Sequence, residues 1–375
     1  MRVLHVIPSV ARKSGGPAEL IRELLPALVD NGVKIRLVST TKDMGPDDAD
    51  IWSFGEVHLA PCWSPRWTVA PALVSRLWKE VGNTDIVHVH SVHTFPSTVA
   101  MIIARLRKRP VFLQPHGALN AYHLAQRRWL KIAYLRLLDR FGLGAVHTAI
   151  YSSSVEVRDG NIALPRIKPS WLPLGVSQDI LSAPRREGPD TRVLFLARLA
   201  EKKRLDLFLR ALADLGPETG AWEARVAGPL DPALSYDPVQ LAQTLGIDER
   251  VIFLGEVNAT QRRKLLSQSA IYVLPSDDES FGMSVAEAMA AGCAVVATPA
   301  VGCAVDAGSS AGVRLTQQSV EALSVQIREL LGDVAGRKHS GQLARNYAHS
   351  NLAWTAVAER LTGYYEAVPV NRVET

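Results

Sequence analysis

The 375-residue chain is 47% apolar and 21% charged, which excludes disorder and supplies more core than one domain usually organises, so two packed domains are expected. Its formal charge of +5, with a pI near 9.1, is compatible with nucleotide diphosphates, acidic lipids or nucleic acid and selects none of them. Three cysteines, Cys62, Cys293 and Cys303, are too few and too scattered for a disulfide framework or a metal cluster; they are expected as small core residues in a reducing compartment.

At the N-terminus a short apolar run stops at Pro8, and Arg12 and Lys13 follow at once, which reads as a buried strand rather than a signal peptide. Val3–Ile7 is that strand. Ser14-Gly-Gly-Pro17 is a turn, and Leu20, Ile21, Leu24, Leu25 and Leu28 recur at helical spacing. The turn lacks the Gly-x-Gly-x-x-Gly of a dinucleotide fold, because only Gly15 and Gly16 are present, and a nicotinamide dehydrogenase is thereby disfavoured. Strand-like runs recur at Lys34–Ser39, Ile86–His90, Val111–Gln114 and Thr148–Ser152 with helical stretches between them, the alternation a parallel sheet requires. The stretch that comes closest to a membrane span, Val99–Ala104, ends at Arg105, far short of the roughly 18 to 20 apolar residues a spanning helix needs. A soluble or surface-bound cytoplasmic protein is expected.

Trp171-Leu-Pro-Leu-Gly-Val176 through Gly188-Pro189 is rich in Pro, Gly and charge, and after it the alternation restarts at Val193–Ala197. Further strands are expected at Ala224–Ala227, Val251–Leu254, Ile271–Leu274 and Ala294–Ala297. The division predicted is an α/β domain over 1–175, a second over 190–348 and a terminal helical segment over 349–375. The cleft between the two domains is the expected ligand site.

The stretch Ser276–Gly292 is where chemistry concentrates: a strand ends at Pro275, a polar loop follows, and a helix starts near Gly282. Glu279 lies in the loop and Glu287 on the helix. Even on one continuous helix their backbones would stand roughly 12 Å apart, too far for the acid and nucleophile of a retaining glycosidase, so they are expected to touch different parts of one extended ligand. The helix N-terminus around Phe281, Gly282, Met283 and Ser284 offers unpaired amides to an anion or to sugar hydroxyls. An ordinary capped helix with solvated glutamates is the alternative.

Glu279, seven intervening residues and Glu287, set within Pro-Ser-x-x-Glu-Ser-Phe-Gly and Glu-Ala-Met-Ala-x-Gly, resemble the signature of family 4 retaining glycosyltransferases. The resemblance implies the GT-B fold, two Rossmann-like doubly wound parallel-sheet domains facing a central cleft, with an acceptor-binding first domain and a donor-binding second. It implies that Glu279 hydrogen-bonds the donor sugar together with the amides after it, and that Glu287 binds the ribose hydroxyls of a nucleotide diphosphate-sugar. Phe195-Leu-Ala-Arg-Leu-Ala-Glu-Lys-Lys-Arg-Leu-Asp206 is similar to the family's Gly-Arg-Leu-x-x-x-Lys-Gly segment and aligns Arg198 and Lys203 with its two cations. Two fixed cations in a water-poor site would stabilise the charge of a departing diphosphate; two solvated basic residues are the plainer reading. Ala197 and Arg204 stand where the family usually has glycines, and Arg204 leaves the backbone shape after Lys203 open.

In the first half, Gln114-Pro-His-Gly-Ala-Leu119 places His116 where the family carries a histidine facing the transfer site, in polar contact with sugar or acceptor; a histidine at a strand end is otherwise structural. Gly15 and Gly16 match the family's diglycine, which lets backbone approach the donor phosphates or the acceptor closely, although any tight turn would use them. Pro173-Leu-Gly-Val176 resembles the interdomain Pro-Asn-Gly-Val, and Trp354–Tyr365 the terminal helix that crosses back to the first domain. Asp47-Asp48 and Asp277-Asp278-Glu279 invite a metal reading that is discounted, since Arg198 and Lys203 would take the cation's place. No cofactor beyond the nucleotide-sugar substrate is expected.

Arg127, Arg128, Lys131, Arg136 and Arg140, interleaved with apolar residues between Tyr122 and Phe141, make a cationic amphipathic helix. Arg105, Arg107, Lys108 and Arg109 with Trp63, Arg66 and Trp67 would extend its surface. Such a surface suits an anionic bilayer, or equally a solvated face over a packed helix. With a membrane comes a lipid-linked or cell-surface glycan acceptor in polysaccharide biosynthesis; nucleic acid is not expected, because no recognition module is present. The functional expectation is a retaining hexosyltransferase. A GT-B phosphorylase, a nucleotide-sugar hydrolase or epimerase, and a noncatalytic sugar-nucleotide or polyanion-binding protein remain as alternatives.

Overall fold

The computed structural model describes residues 1–119, 140–184 and 191–369. The chain divides into two compact units, Met1–Gly175 with Trp354–Thr375, and Val176–Ala353. The first is built on seven parallel strands: β1 (Arg2–Ser9), β2 (Lys34–Thr40), β3 (Glu56–Ala60), β4 (Ile86–His90), β5 (Val111–Gln114), β6 (Val146–Tyr151) and β7 (Lys168–Trp171). Their order is β3-β2-β1-β4-β5-β6-β7, so the direction of winding reverses between β1 and β4.

Successive side chains of β1 point to opposite faces. Val3 and Ile7 enter the core with Leu20, Leu24 and Leu28 of the helix Gly16–Asp30, while Leu4 and Val6 join Val87, Val89 and Met101 on the other. Both faces are covered, which is why β1 and β4 read as nearly unbroken apolar runs. The helix Trp354–Glu366 sets Val357, Ala358, Leu361 and Tyr365 into the first of these cores at helical spacing. It belongs to the first unit although it is the last element among the described residues. Residue 349 lies within the preceding helix, Val334–Asn351, of the second unit.

The second unit repeats the plan with β8 (Arg192–Leu196), β9 (Glu223–Ala227), β10 (Val251–Phe253), β11 (Ile271–Leu274), β12 (Ala294–Ala297) and β13 (Val313–Leu315), in order β10-β9-β8-β11-β12-β13, all parallel. The winding reverses between β8 and β11. In such sheets the loops leaving the C-terminal ends of the two strands at the reversal diverge to opposite sides and leave room for a ligand.

Three strands, β3, β7 and β13, were not expected from sequence, and each is a sheet edge. Edge strands carry polar residues and exposure on one side, as Lys168-Pro-Ser-Trp171 does, so the apolar run that announces a central strand is missing. Cys293 and Cys303 are buried as expected, whereas Cys62 is partly exposed. The basic helix expected between Tyr122 and Phe141 falls outside the described residues apart from Arg140 and Phe141, which lie in the helix Arg140–Leu143. Among the described residues no helix is long and apolar enough to cross a membrane.

Candidate functional site

In the second unit β8 and β11 are neighbours, so the loops that leave their C-terminal ends meet. Arg198 and Lys203 are on the first loop and Glu279 on the second. Ser276 Oγ and the Asp277 amide both donate to the Lys202 carbonyl, at 2.8 Å each. With the loops stitched there, consecutive basic residues face consecutive acids. Lys202 lies 3.9 Å from Asp278, Arg204 3.3 Å from Asp277, and the Lys203 ammonium is in direct ion-pair contact with Glu279. The Asp277-Asp278-Glu279 run is therefore engaged by cations of the chain itself. Burial, with Lys202 and Arg198, pulls the pKa of Lys203 down to about 8, against Asp278. The touching Glu279 carboxylate acts with Asp278, so the ammonium stays protonated at neutral pH. Arg198 is exposed and, among the described residues, has no ion-pair partner.

Arg204, the residue at the unmatched glycine position, has φ 54° and ψ 46°. The left-handed conformation is thus kept without glycine, at a cost of about 1–2 kcal/mol. Ion pairs to Asp206 at 3.0 Å and Asp277 hold the side chain in place. Arg204→Gly should consequently leave the urea midpoint nearly unchanged, strain relief offsetting the lost pairs, whereas the β-branched Arg204→Val should cost about 1–3 kcal/mol. An Arg204→Val protein as stable as wild type would remove the backbone constraint.

The Glu279 backbone pairs with the loop after β12: its amide donates to Ala300 O at 3.0 Å and its carbonyl accepts from Gly302 N at 3.1 Å. This turns the chain into the helix Met283–Ala290, capped by Gly282 at φ 92°. A Cβ on Gly282 would stand 2.7 Å from Val301 Cγ1, so both conformation and space demand glycine. The first amide of this helix with an acceptor is Val285's, bonded to Gly282 O; those of Met283 and Ser284 sit at the positive end. Phe281 is buried, Met283 is exposed, and Ser284 Oγ lies 2.6 Å from the Tyr272 hydroxyl. Glu287, one turn further, is 6% exposed and 3.2 Å from Arg262. Burial raises its pKa and Arg262 opposes the rise. A buried carboxylate with one half-exposed partner retains acceptor capacity for a ligand's hydroxyls.

In the first unit the predicted residues lie at the C-terminal edge of the sheet. Gly15, at φ 87°, ends the turn after β1, and nothing comes within 4 Å of a Cβ built on it or on Gly16. The turn is anchored below: Arg12 N donates to Asp48 Oδ1 at 2.9 Å, and Asp48 is buried against Arg22 at 2.7 Å. Burial pushes the Asp48 pKa up, but the Arg12 and Gly45 amides with Arg22 outweigh it and hold the carboxylate ionised. Asp48 thus holds the diglycine turn in place. Non-glycine residues with positive φ follow β4 at Ser91 and His93 and β5 at His116, where φ is 54°. Backbone strain of that kind collects at functional edges.

Glu156, not singled out from sequence, holds the His116 loop. Its fully buried carboxylate accepts from the Gly117 amide at 2.6 Å and from the amide and hydroxyl of Ser152 at 2.7 and 2.6 Å. Ser153-x-x-Glu156 at a helix start was a legible capping signal, yet only Ser153 caps while the glutamate reaches to the neighbouring loop. His5, His88 and His90 were missed too. They lie beside His116 on one sheet face, with His90 Nδ1 3.0 Å from His116 Nε2.

Two parallel doubly wound units with an acidic loop, paired cations and a glycine-capped helix at the switch of the second define a glycosyltransferase of the GT-B fold. Residues 14–177 match the model described as Glycosyltransferase Family 4, and residues 177–347 that of Glycosyl transferases group 1. The chain belongs to the family 4 glycosyltransferases. The "Lipopolysaccharide core biosynthesis mannosyltransferase LpcC" of Rhizobium leguminosarum bv. viciae is 26% identical, over 97% of this chain and 96% of that protein. The "GDP-mannose:cellobiosyl-diphosphopolyprenol alpha-mannosyltransferase" of Xanthomonas oryzae pv. oryzae is 22% identical, over 100% and 99%. Among solved structures, Anabaena Alr3699/HepE in complex with UDP superposes with a TM-score of 0.76 at 18% identity, covering 98% of this chain and 100% of that one.

Proposed function

We propose that this glycosyltransferase moves mannose from GDP-mannose to a hydroxyl of a lipid-linked or lipopolysaccharide-type glycan, with retention of configuration. The observation that carries the reading is the Lys203–Glu279 pair beside the open end of the helix Met283–Ala290. Support for the sugar comes from two mannosyltransferases that align with nearly the whole chain. An entering diphosphate competes with Glu279 for Lys203 and joins Arg198; the released carboxylate then accepts hydroxyls of the sugar. Glu287 takes the ribose hydroxyls and the amides of Phe281–Ser284 the remaining oxygens. As the bond from C1 to the diphosphate oxygen breaks, the leaving oxygen gains charge and is stabilised by the two cations. That oxygen accepts the proton of the acceptor hydroxyl while the new C1–O bond forms on the same face, and no metal is required.

The acceptor half of the reading has its own support. Trp63 is 74% exposed, and Arg105, Leu106, Arg107 and Lys108 form an exposed run, with Arg105 over Phe141 and Arg107 over Trp78 at 4.2 Å each. Aromatic rings under guanidinium groups suit the interface of an anionic bilayer on the cytoplasmic side. Absence of flotation with anionic vesicles at low salt would sink the membrane element alone.

Thermal shifts with UDP, GDP, ADP and their sugar conjugates test the donor. Stabilisation by GDP-mannose, lost in Arg198→Ala, is expected; stabilisation by UDP-sugars alone would replace mannose as the proposal. Transfer of labelled mannose to a membrane extract should persist in excess EDTA. Its loss there would overturn the metal-free chemistry.

A further inference from the structure

The histidines behind His116 form a connected array for which the transfer chemistry has no use beyond its last member. His5 of β1 and His88 and His90 of β4 are fully buried on the sheet face that the helix Trp354–Glu366 covers. His5 Nδ1 lies 3.0 Å from His90 Nε2, and His90 Nδ1 lies 3.0 Å from His116 Nε2. The rings are near parallel, at 20° and 11°, with centroids 5.3 and 5.2 Å apart. Those separations are little more than the N···N distance plus two ring radii, so the three imidazoles lie edge to edge in nearly one plane. His88 stacks on His90 at 4.4 Å, and the Tyr365 hydroxyl holds its Nδ1.

Burial brings His5 to a pKa of about 3 and His116 to about 4, and burial with the neighbouring histidines takes His90 well below its ordinary value. All three are neutral at pH 7. A neutral imidazole has one N–H and one lone pair. The chain of bonds therefore has two arrangements, with every proton on Nε2 or every proton on Nδ1. In the first, His5 would carry a buried Nε2–H with no acceptor among the described residues, the least tolerated of unmade groups. In the second, only a lone pair of His5 is left over; His5 donates to His90, His90 donates to His116, and His116 keeps its N–H on Nδ1. That nitrogen has no hydrogen-bond partner among the described residues, and His116 is the one residue of the three that is only partly buried.

We propose that His5 and His90 are positioning residues that hold His116 as its Nδ1–H tautomer, so that it donates a hydrogen bond to a ligand oxygen at the C-terminal edge of the first sheet. The role needs the function proposed above only for the identity of that ligand. The orienting polarity originates at a buried dead end rather than at a carboxylate, and it makes His116 a hydrogen-bond donor rather than a proton acceptor.

Long-range proton–nitrogen correlation on the full chain, with histidine labelled in both nitrogens, reads the tautomer directly once His116→Gln has assigned the signal. Ligand-free wild type at pH 7 should show a protonated Nδ1 and a bare Nε2. His90→Leu, which removes the N–H donated to His116, should return His116 to the Nε2–H form an unconstrained imidazole prefers, and His90→Asn, whose amide nitrogen takes the place of Nδ1, should keep Nδ1–H. His5→Asp, which can only accept from His90, should turn the string round and give Nε2–H. An Nε2–H signal in wild type overturns the proposal, as does an unchanged Nδ1–H in His90→Leu. Should the variants fail to fold, the wild-type signal still decides. His90→Leu and His116→Phe should each weaken GDP-mannose binding roughly three- to tenfold, the worth of one neutral hydrogen bond. If no nucleotide-sugar binds wild type while the tautomer is as stated, the donor assignment fails and the relay stands.

Discussion

Glu287→Gln is expected to cut nucleotide stabilisation to about half or less without weakening the ligand-free protein. A nucleotide at a hundredfold its Kd adds about 2.7 kcal/mol, or roughly 5–10 °C in Tm for units of this size. In the proposed donor site, replacing the carboxylate removes charge-assisted bonds to ribose hydroxyls worth about 1.5–3 kcal/mol, so binding should weaken between about tenfold and a hundredfold. The ligand-free effect has the opposite sign. Burial raises the folded-state pKa of Glu287 above its ordinary 4.5, so the group's contribution to stability falls as pH rises from 4.5 through the folded value. Glutamine escapes that loss. The Tm of the Gln variant should equal or exceed wild type at pH 7, with the difference closing as pH falls to about 4.5. A retained nucleotide shift would take Glu287 out of the binding site, and a ligand-free Tm several degrees below wild type would make its carboxylate a structural group.

Gly282→Ala should be the most damaging single change at the helix cap. A non-glycine residue at φ 92° costs about 1–3 kcal/mol, and the added methyl forces Val301 out of a packed position for about 1–3 kcal/mol more. The two parts are separable. Val301→Ala removes the clash but not the strain, so the double variant should be less destabilised than the sum of the singles, with about 1–2 kcal/mol of coupling. Urea denaturation of the four proteins measures it. Additive effects would mean that Val301 does not confine the cap, and a Gly282→Ala protein of wild-type midpoint would refute both parts.

Much of the second unit's candidate site was legible because its signals are contiguous. Pro275 to Gly292 contains a strand end, a polar loop and a helix start within one window, and the helix does begin at Met283, capped by Gly282. Arg198 and Lys203 were legible by the same kind of local match. The ion pair between Lys203 and Glu279 was not, because it depends on β8 and β11 being adjacent, which is a fact of sheet order. The first unit was harder to read. Gly15, Gly16 and His116 carry little information individually, and the groups that hold them, Asp48, Glu156 and the buried histidines, come from elements remote in sequence.

What the sequence determined by itself was the alternation of strands and helices, the restart after Gly175, and the local shape of the Pro275–Gly292 segment, since each follows from periodicity or from neighbours within one or two turns. The tertiary structure alone decided which loops meet, which carboxylates are buried, and which way a string of neutral imidazoles points. It also decided that Arg204 keeps a left-handed backbone without glycine. Those outcomes depend on desolvation and on partners brought together by crossovers, and neither quantity exists until the sheet has closed over its core.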